Sequence, residues 1–346
     1  MVDRRNSEIE LSAESAQLRI HVIGCGGGGC NSVNRLMSMG IQGVETVAIN
    51  TDKSHLQAVN SHRRLLVGAG LTRGLGAGGI AEIGEACMEN ALEPLNDILR
   101  GSDLVFITAG MGGGTGTGVA PVVAKQAKRN HAVVISIVTT PFEFERGHRM
   151  EVARRGIRKL NEFSDMLLLL DNNRLLEMVA NLPVDQGLGV MDQLISEVIK
   201  GLVEAITMPS LVNLDYADLK TILGHRGVST ILYGESIDPD GAVQDALSNP
   251  LLEVDYEGAT GALIHITGGP GLTTRKVTKV LNGICEQLDP NAQVIFGARV
   301  DPSIRDNIRV MAVITGIRDG THHGAWRSAA AAELDLTIED LVRGRR

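Results

Sequence analysis

Six glycines fall within nine residues at Gly110-Met111-Gly112-Gly113-Gly114-Thr115-Gly116-Thr117-Gly118. A stretch this poor in Cβ atoms tolerates positive φ and lets a ligand approach its N–H groups closely. Two threonine hydroxyls and the positive end of a following helix add to it, so the chemistry on offer is anion binding, a phosphate above all. A plain strand-to-helix turn needs only ~2–6 residues and few glycines. A second run, Gly24-Cys25-Gly26-Gly27-Gly28-Gly29, fits G-x-G-x-x-G, and Asn50-Thr51-Asp52 then sets an acidic side chain at a strand end. By itself that pair of features fits nicotinamide or flavin binding.

A third glycine cluster spans residues 68–79 and reads as a long, mobile loop. A dinucleotide pyrophosphate normally uses one loop, whereas several can surround a chain of phosphates, which favours a nucleoside triphosphate. The Walker pattern is missing, because no lysine lies between Gly112 and Gly118, and the protein kinase set is absent too. Phosphate binding then falls to backbone N–H groups, helix dipoles and Mg²⁺, a hard cation that keeps several waters and takes other ligands from phosphate. Asp215 and Asp218, three apart at a helix start, share one face. Spacing leaves two readings open there, a helix cap worth ~0.5–2 kcal/mol or an acidic pair available for chemistry.

The elements that must carry these loops alternate as strand and helix. Residues 18–23, 44–50, 103–108, 132–139 and 166–170 read as strands, with helices over about 31–37, 80–92, 119–128 and a charged one through Arg155 and Leu160. The apolar, β-branched run at 132–139 suits a parallel sheet covered on both faces. The reading is a doubly wound, Rossmann-like α/β domain with every glycine loop at the carboxyl end of a strand. Apolar residues then recur at helical spacing over 187–207, a core helix linking two domains. Strands near 228–234, 261–267, 293–298 and 308–315, with helices near 241–247 and 273–288, make a second α+β domain. The expected boundaries are a leader at 1–17, a nucleotide domain at 18–184, the linking helix at 185–207, the second domain at 208–319 and a tail from 320.

The net charge of −8 and 3% aromatic residues argue against a nucleic-acid surface. Cys25, Cys30, Cys87 and Cys285 show neither CxxC pairing nor zinc-ligand spacing, which predicts reduced thiols in a cytosolic protein and no metal held by cysteine. No run reaches ~18 apolar residues and residues 1–17 lack an apolar core, so neither export nor membrane insertion is expected.

The loop Gly112 to Gly118 resembles the signature loop of the tubulin/FtsZ superfamily. Residues 106–123, 50–52, 72–78, 141–149 and 213–221 are similar to those of its prokaryotic cell-division GTPases, and the resemblance runs over about 18–317. It implies a protein that binds GTP or GDP with Mg²⁺ and stacks head to tail into protofilaments of the division ring in the cytoplasm. Hydrolysis would then require the loop opening the second domain to enter the nucleotide site of the next subunit. On this resemblance Asp215 and Asp218 polarise and position the attacking water, and Asn213 places their loop. Gly27, Gly28, Gly29 and Asn31 fall on the first phosphate loop, and Gly113, Gly114, Thr115, Gly116 and Thr117 on the signature loop. Asn50, Asp52, Ala77 and Gly78 join the nucleotide contacts, and Glu145 and Arg149 match ribose and phosphate contacts. Asn172 and Asp192 match the guanine readers, a carboxylate being able to accept the N1 and N2 donors that adenine lacks. By spacing alone Asp192 also reads as a polar residue on an outer helix face. Leu188 stands where the family often has an aromatic ring on the base. Residues 334–342 occupy the place of a peptide that binds membrane-anchoring division proteins, and a frayed helix is the other reading. Two further classes stay open: a nicotinamide-dependent oxidoreductase using the first glycine turn with Asp52, and a filament regulator that binds nucleotide without hydrolysing it.

Overall fold

The computed structural model describes residues 18–173, 184–208, 210–212, 214–223, 228–248 and 256–317. Its first sheet contains Ile20–Cys25 (β1), Val44–Asn50 (β2), Arg63–Leu66 (β3), Leu104–Gly110 (β4), Val133–Thr140 (β5) and Met166–Asp171 (β6), in the order β3-β2-β1-β4-β5-β6. All of its pairings are parallel. Strand order reverses between β1 and β4, so the crevice where open α/β sheets bind ligands lies beyond the carboxyl ends of those two strands. Both main glycine runs follow them directly.

Helices cover both faces: Gly26–Ser38 (α1), Lys53–Ala58 (α2), the single turn Ala69–Thr72 (α3), Ala81–Glu89 (α4), Leu92–Leu99 (α5), Thr115–Arg129 (α6) and Arg146–Asn161 (α7). Several bounds differ from those the sequence predicts. α1 starts at Gly26 and not near Asn31, and α6 at Thr115 and not at Val119, so glycines expected in loops form the first turns of helices. The reason is proximity. A Cβ on Gly26 would lie 2.6 Å from the Gly116 nitrogen, so no larger residue fits where these turns touch. The helix expected over 80–92 ends at Glu89, and a separate helix that the sequence reading did not give, Leu92–Leu99, follows; Pro94 keeps the two from joining, because it cannot donate a backbone hydrogen bond and its ring opposes the carbonyl four residues back, at Asn90. Nor is the third glycine cluster a free loop: Lys53 N donates to Gly74 O, Gly76 N to Thr51 O, and Asp52 bridges to Leu75.

Val184–Thr207 (α8) runs for 24 residues, about 36 Å at ~1.5 Å per residue. Its buried residues Met191, Leu194, Ile195, Val198, Ile199, Leu202 and Val203 form one core with Ile20, Phe106 and Ile137 of the first sheet and Leu263, Met311 and Val313 of the second. Each such side chain contributes ~1.5–3 kcal/mol on burial, so α8 is held from both sides. Beyond it come Tyr216–Leu223 (α9), Val228–Ser236 (β7), Pro239–Leu247 (α10), Gly261–Gly268 (β8), Thr274–Cys285 (α11), Gln293–Val300 (β9) and Ile308–Ile317 (β10). The second sheet has the order β7-β10-β8-β9, with β10 antiparallel to both neighbours and β8 parallel to β9. The tail from residue 320 and its 334–342 segment lie outside the described residues.

Candidate nucleotide site

Two helix starts meet at the carboxyl edge of the first sheet. Neither α1 nor α6 has an acidic residue in its first turn, and neither Cys25 nor Gly114, their N-cap residues, makes a side-chain cap. The free N–H groups of both first turns and the positive ends of two helix dipoles therefore face the same crevice, an anion site built from backbone.

The glycines around this crevice divide into two kinds. A Cβ on Gly24, Gly29 or Gly116 would come within 2.3, 2.1 and 2.6 Å of a neighbouring carbonyl oxygen, so these positions allow backbones to pack. At Gly27, Gly113 and Gly78 a Cβ would meet nothing within 4 Å. Those three border open space. Gly28 is intermediate, 3.3 Å from the Gly110 nitrogen, and Gly114 packs on Ala77, which is buried and so carries the third cluster against the signature loop.

The hydroxyls of half-buried Thr115 and fully buried Thr51 lie 2.6 Å apart. Thr117 turns inward: it is 2% exposed and its hydroxyl accepts the Gly112 N–H, fixing the loop's own shape. Asn50 is buried, and its Oδ1 accepts from Thr51 N and Asp52 N while its amide meets His55 Nδ1. His55 Nε2 in turn meets Asn31 Oδ1 at 3.1 Å, which ties the β2 end to the first helix. Asp52 caps α2 by accepting the His55 N–H. One carboxylate oxygen of Asp52 is thereby engaged within its own turn.

On the β5 and β6 side, Glu145 Oε1 accepts the Phe142 N–H and its other oxygen pairs with Arg149. Phe142 and Phe144 stack at 4.8 Å, and Phe144 is 69% exposed. Asn172 follows directly on β6 and is half-buried. Its neighbour Asn173, which the sequence reading did not single out, holds the ends of β5 and β6 together: its amide donates to Asp171 Oδ1 and its Oδ1 accepts the Glu143 N–H. Asp192 does not sit on an outer helix face. It points from α8 toward α1, where Ser32 Oγ donates to its Oδ1 at 2.6 Å, and burial pushes its carboxyl above the ordinary range against the Ser32 hydrogen bond and Arg35. The Leu188 side chain and Asn213 lie outside the described residues.

The carboxylate pair lies elsewhere. Asp215 Oδ1 accepts the Asp218 N–H at 2.8 Å and Asp218 Oδ2 accepts the Asp215 N–H at 3.0 Å, a reciprocal cap at the start of α9. Between them, Tyr216 Oη donates to the Asp103 carbonyl at 2.6 Å, just before β4 begins. β4 spans seven residues, ~23 Å at ~3.3 Å each, and the signature loop follows its far end. Asp215 and Asp218 therefore sit at the amino edge of the sheet, and the crevice at the carboxyl edge.

Residues 19–180 match the family model described as Tubulin/FtsZ family, GTPase domain, and residues 227–318 match FtsZ family, C-terminal domain. The chain belongs to the FtsZ family. It is 50% identical over 323 residues to Cell division protein FtsZ 2 of Methanocaldococcus jannaschii, covering 92% of this chain and 85% of the relative. It is likewise 50% identical over 331 residues to Cell division protein FtsZ 2 of Halobacterium salinarum, at 95% and 84% coverage. Among solved structures, an empty FtsZ dimer from M. jannaschii superposes with a TM-score of 0.83 at 42% identity, covering 88% of this chain and 90% of that one. CetZ1 from Haloferax volcanii, a GDP-bound monomer, shares the fold at 22% identity and a TM-score of 0.77. The glycine crevice is thus part of an FtsZ-family GTPase domain, and the first glycine turn belongs to that domain as well.

Proposed function

We propose that the protein hydrolyses GTP to GDP and phosphate at a site completed by a second copy of the chain, and that the copies stack head to tail into division-ring protofilaments. One observation carries this reading: the backbone anion site and the exposed carboxylate pair occupy opposite edges of one sheet. No single subunit joins them, but a translated copy does. A contact between unlike edges is heterologous and generates an open filament. Apolar side chains are exposed along both, with Leu71, Leu75, Ile80 and Phe144 around the glycine edge and Leu211, Val212 and Phe296 near the start of the second domain.

The chain's own groups have separable roles in this mechanism. First-turn N–H groups of α1 and α6 bind and orient the phosphates; Glu145 and Arg149 contact ribose and phosphate; Asn172 and Asp192 read the base. Phosphoryl transfer demands positioning and electrostatic stabilisation above all. The reciprocal cap leaves Asp215 Oδ2 and Asp218 Oδ1 free to hold a water in line with the neighbour's terminal phosphate. Mg²⁺ would arrive with the nucleotide, neutralising phosphate charge. Among the described residues no three His, Cys, Asp or Glu side chains form a cage for it, and the half-buried Thr115 hydroxyl at the start of α6 is an oxygen donor it could meet. We assign binding of membrane-anchoring division proteins to residues 334–342, whose apolar residues follow the alanine-rich stretch.

Asp215→Asn and Asp218→Asn test the assignment without unseating α9, because asparagine caps a helix as well as aspartate. Each should lower turnover by ~10²-fold or more while GTP affinity stays within twofold. Turnover unchanged in both variants contradicts the assignment. GTP binding without turnover in the parent chain would favour the non-hydrolysing regulator.

A further inference from the structure

Ser32 lies on α1 one turn beyond Gly28, 3% exposed, at the crossing with α8. Its hydroxyl has one proton and two acceptors within reach, Asp192 Oδ1 at 2.6 Å and Gly28 O at 3.3 Å. The carboxylate is nearer and charged, and hydrogen bonds to ionised acceptors are about twice as strong as neutral ones, so the proton goes to Asp192. That bond occupies one side of Oδ1 and leaves Oδ2 free. It also opposes the burial that would otherwise favour the neutral carboxyl, which could not accept two donors from a base.

A second buried hydroxyl at the same crossing provides an internal contrast. Ser196, fully buried, donates to Asp192 O and reaches Ser32 O at 3.2 Å. It touches backbone only. The two serines therefore share a helix crossing but differ in whether they touch the carboxylate.

We propose that Ser32 is a positioning residue for base selection: by holding the Asp192 carboxylate in one rotamer, it sets how strongly the site prefers guanine to a purine lacking the 2-amino group. The inference rests on the reading of Asp192 as a guanine contact, and it links the helix that binds phosphate to the helix that reads the base.

The test measures dissociation constants for GTP and ITP with the full chain at concentrations too low for assembly, for Ser32→Ala, Ser196→Ala, Asp192→Ala and the parent. ITP keeps N1–H and lacks the 2-amino donor. Ser32→Ala should cut the GTP-over-ITP preference by roughly threefold to tenfold, the net worth of an ordinary intramolecular hydrogen bond. Ser196→Ala should leave that ratio unchanged. If both serine variants weaken GTP and ITP by the same factor, Ser32 only packs the crossing and the proposal is overturned. If Asp192→Ala keeps the full preference for GTP, the guanine-contact reading itself fails. Thermal melts of each variant confirm that folded protein is being compared.

Discussion

His265 on β8 is 4% exposed and lines a cavity of ≈ 220 Å³ between α8 and the second sheet, with Glu197, Lys200, Tyr233, Arg309 and Met311 around it. Burial, with Arg299 nearby, pushes its imidazole down to about 4 from the ordinary 6.5. A lowered folded value means that the unfolded chain takes up the proton first as pH falls. This contribution to stability is therefore whole above pH 6.5 and declines between 6.5 and about 4, by about 3 kcal/mol at ~1.4 kcal/mol per pH unit. Denaturant unfolding across that window should show a steeper acid loss in the parent than in His265→Gln, and parallel curves would contradict it. Individual residues were unevenly legible in the sequence. Asp215 and Asp218 could be read as a cap from spacing alone, and they are one. Ser32, Asn173 and Tyr216 could not, because their partners lie 160, 30 and 113 residues away in the chain and no local pattern marks such contacts.

At the scale of elements, the starts of α1 and α6 have to satisfy two demands, backbone packing and an open face for phosphate, and different glycines meet each. Gly116→Ala places a Cβ 2.6 Å from the Gly110 carbonyl oxygen and 3.2 Å from that of Cys25. It should cost about 1–3 kcal/mol of stability as the helix start is displaced, and GTP binding should fail with it. Gly27→Ala meets nothing within 4 Å, so its melting temperature should not fall, because alanine is the better helix former, while GTP affinity drops roughly tenfold. Calorimetry paired with nucleotide titration separates the two, and equal effects on melting would contradict the division. The long, periodic elements were readable, β1, β2, β4, β5 and α8 among them. The helical first turns at Gly26 and Thr115 were not, since glycine's low helix propensity argues for loop and only the tertiary contact overrides it. The edge strand β3 was missed as well: its four residues, Arg63-Arg64-Leu65-Leu66, include no fully buried side chain and give no periodic signal.

Across the whole molecule, α8 joins the two sheets through one continuous core, and α9 is seated on the amino edge of the first sheet by Tyr216. The carboxylates are thereby held at a fixed distance from their own subunit's crevice, one strand length away. Doubly wound topology was legible from the alternation of strands and helices, and so was the gathering of the glycine loops at one edge. The placement of α9 at the opposite edge was not, because it depends on how the second domain packs back across α8. If the site is shared between copies, GTP turnover per subunit must depend on protein concentration. The direct measurement is steady-state phosphate release at saturating GTP across a dilution series of the full chain. A shared site predicts near-zero turnover per subunit below a threshold and a cooperative rise above it, with nucleotide bound throughout. Turnover per subunit that stays constant on dilution would contradict it.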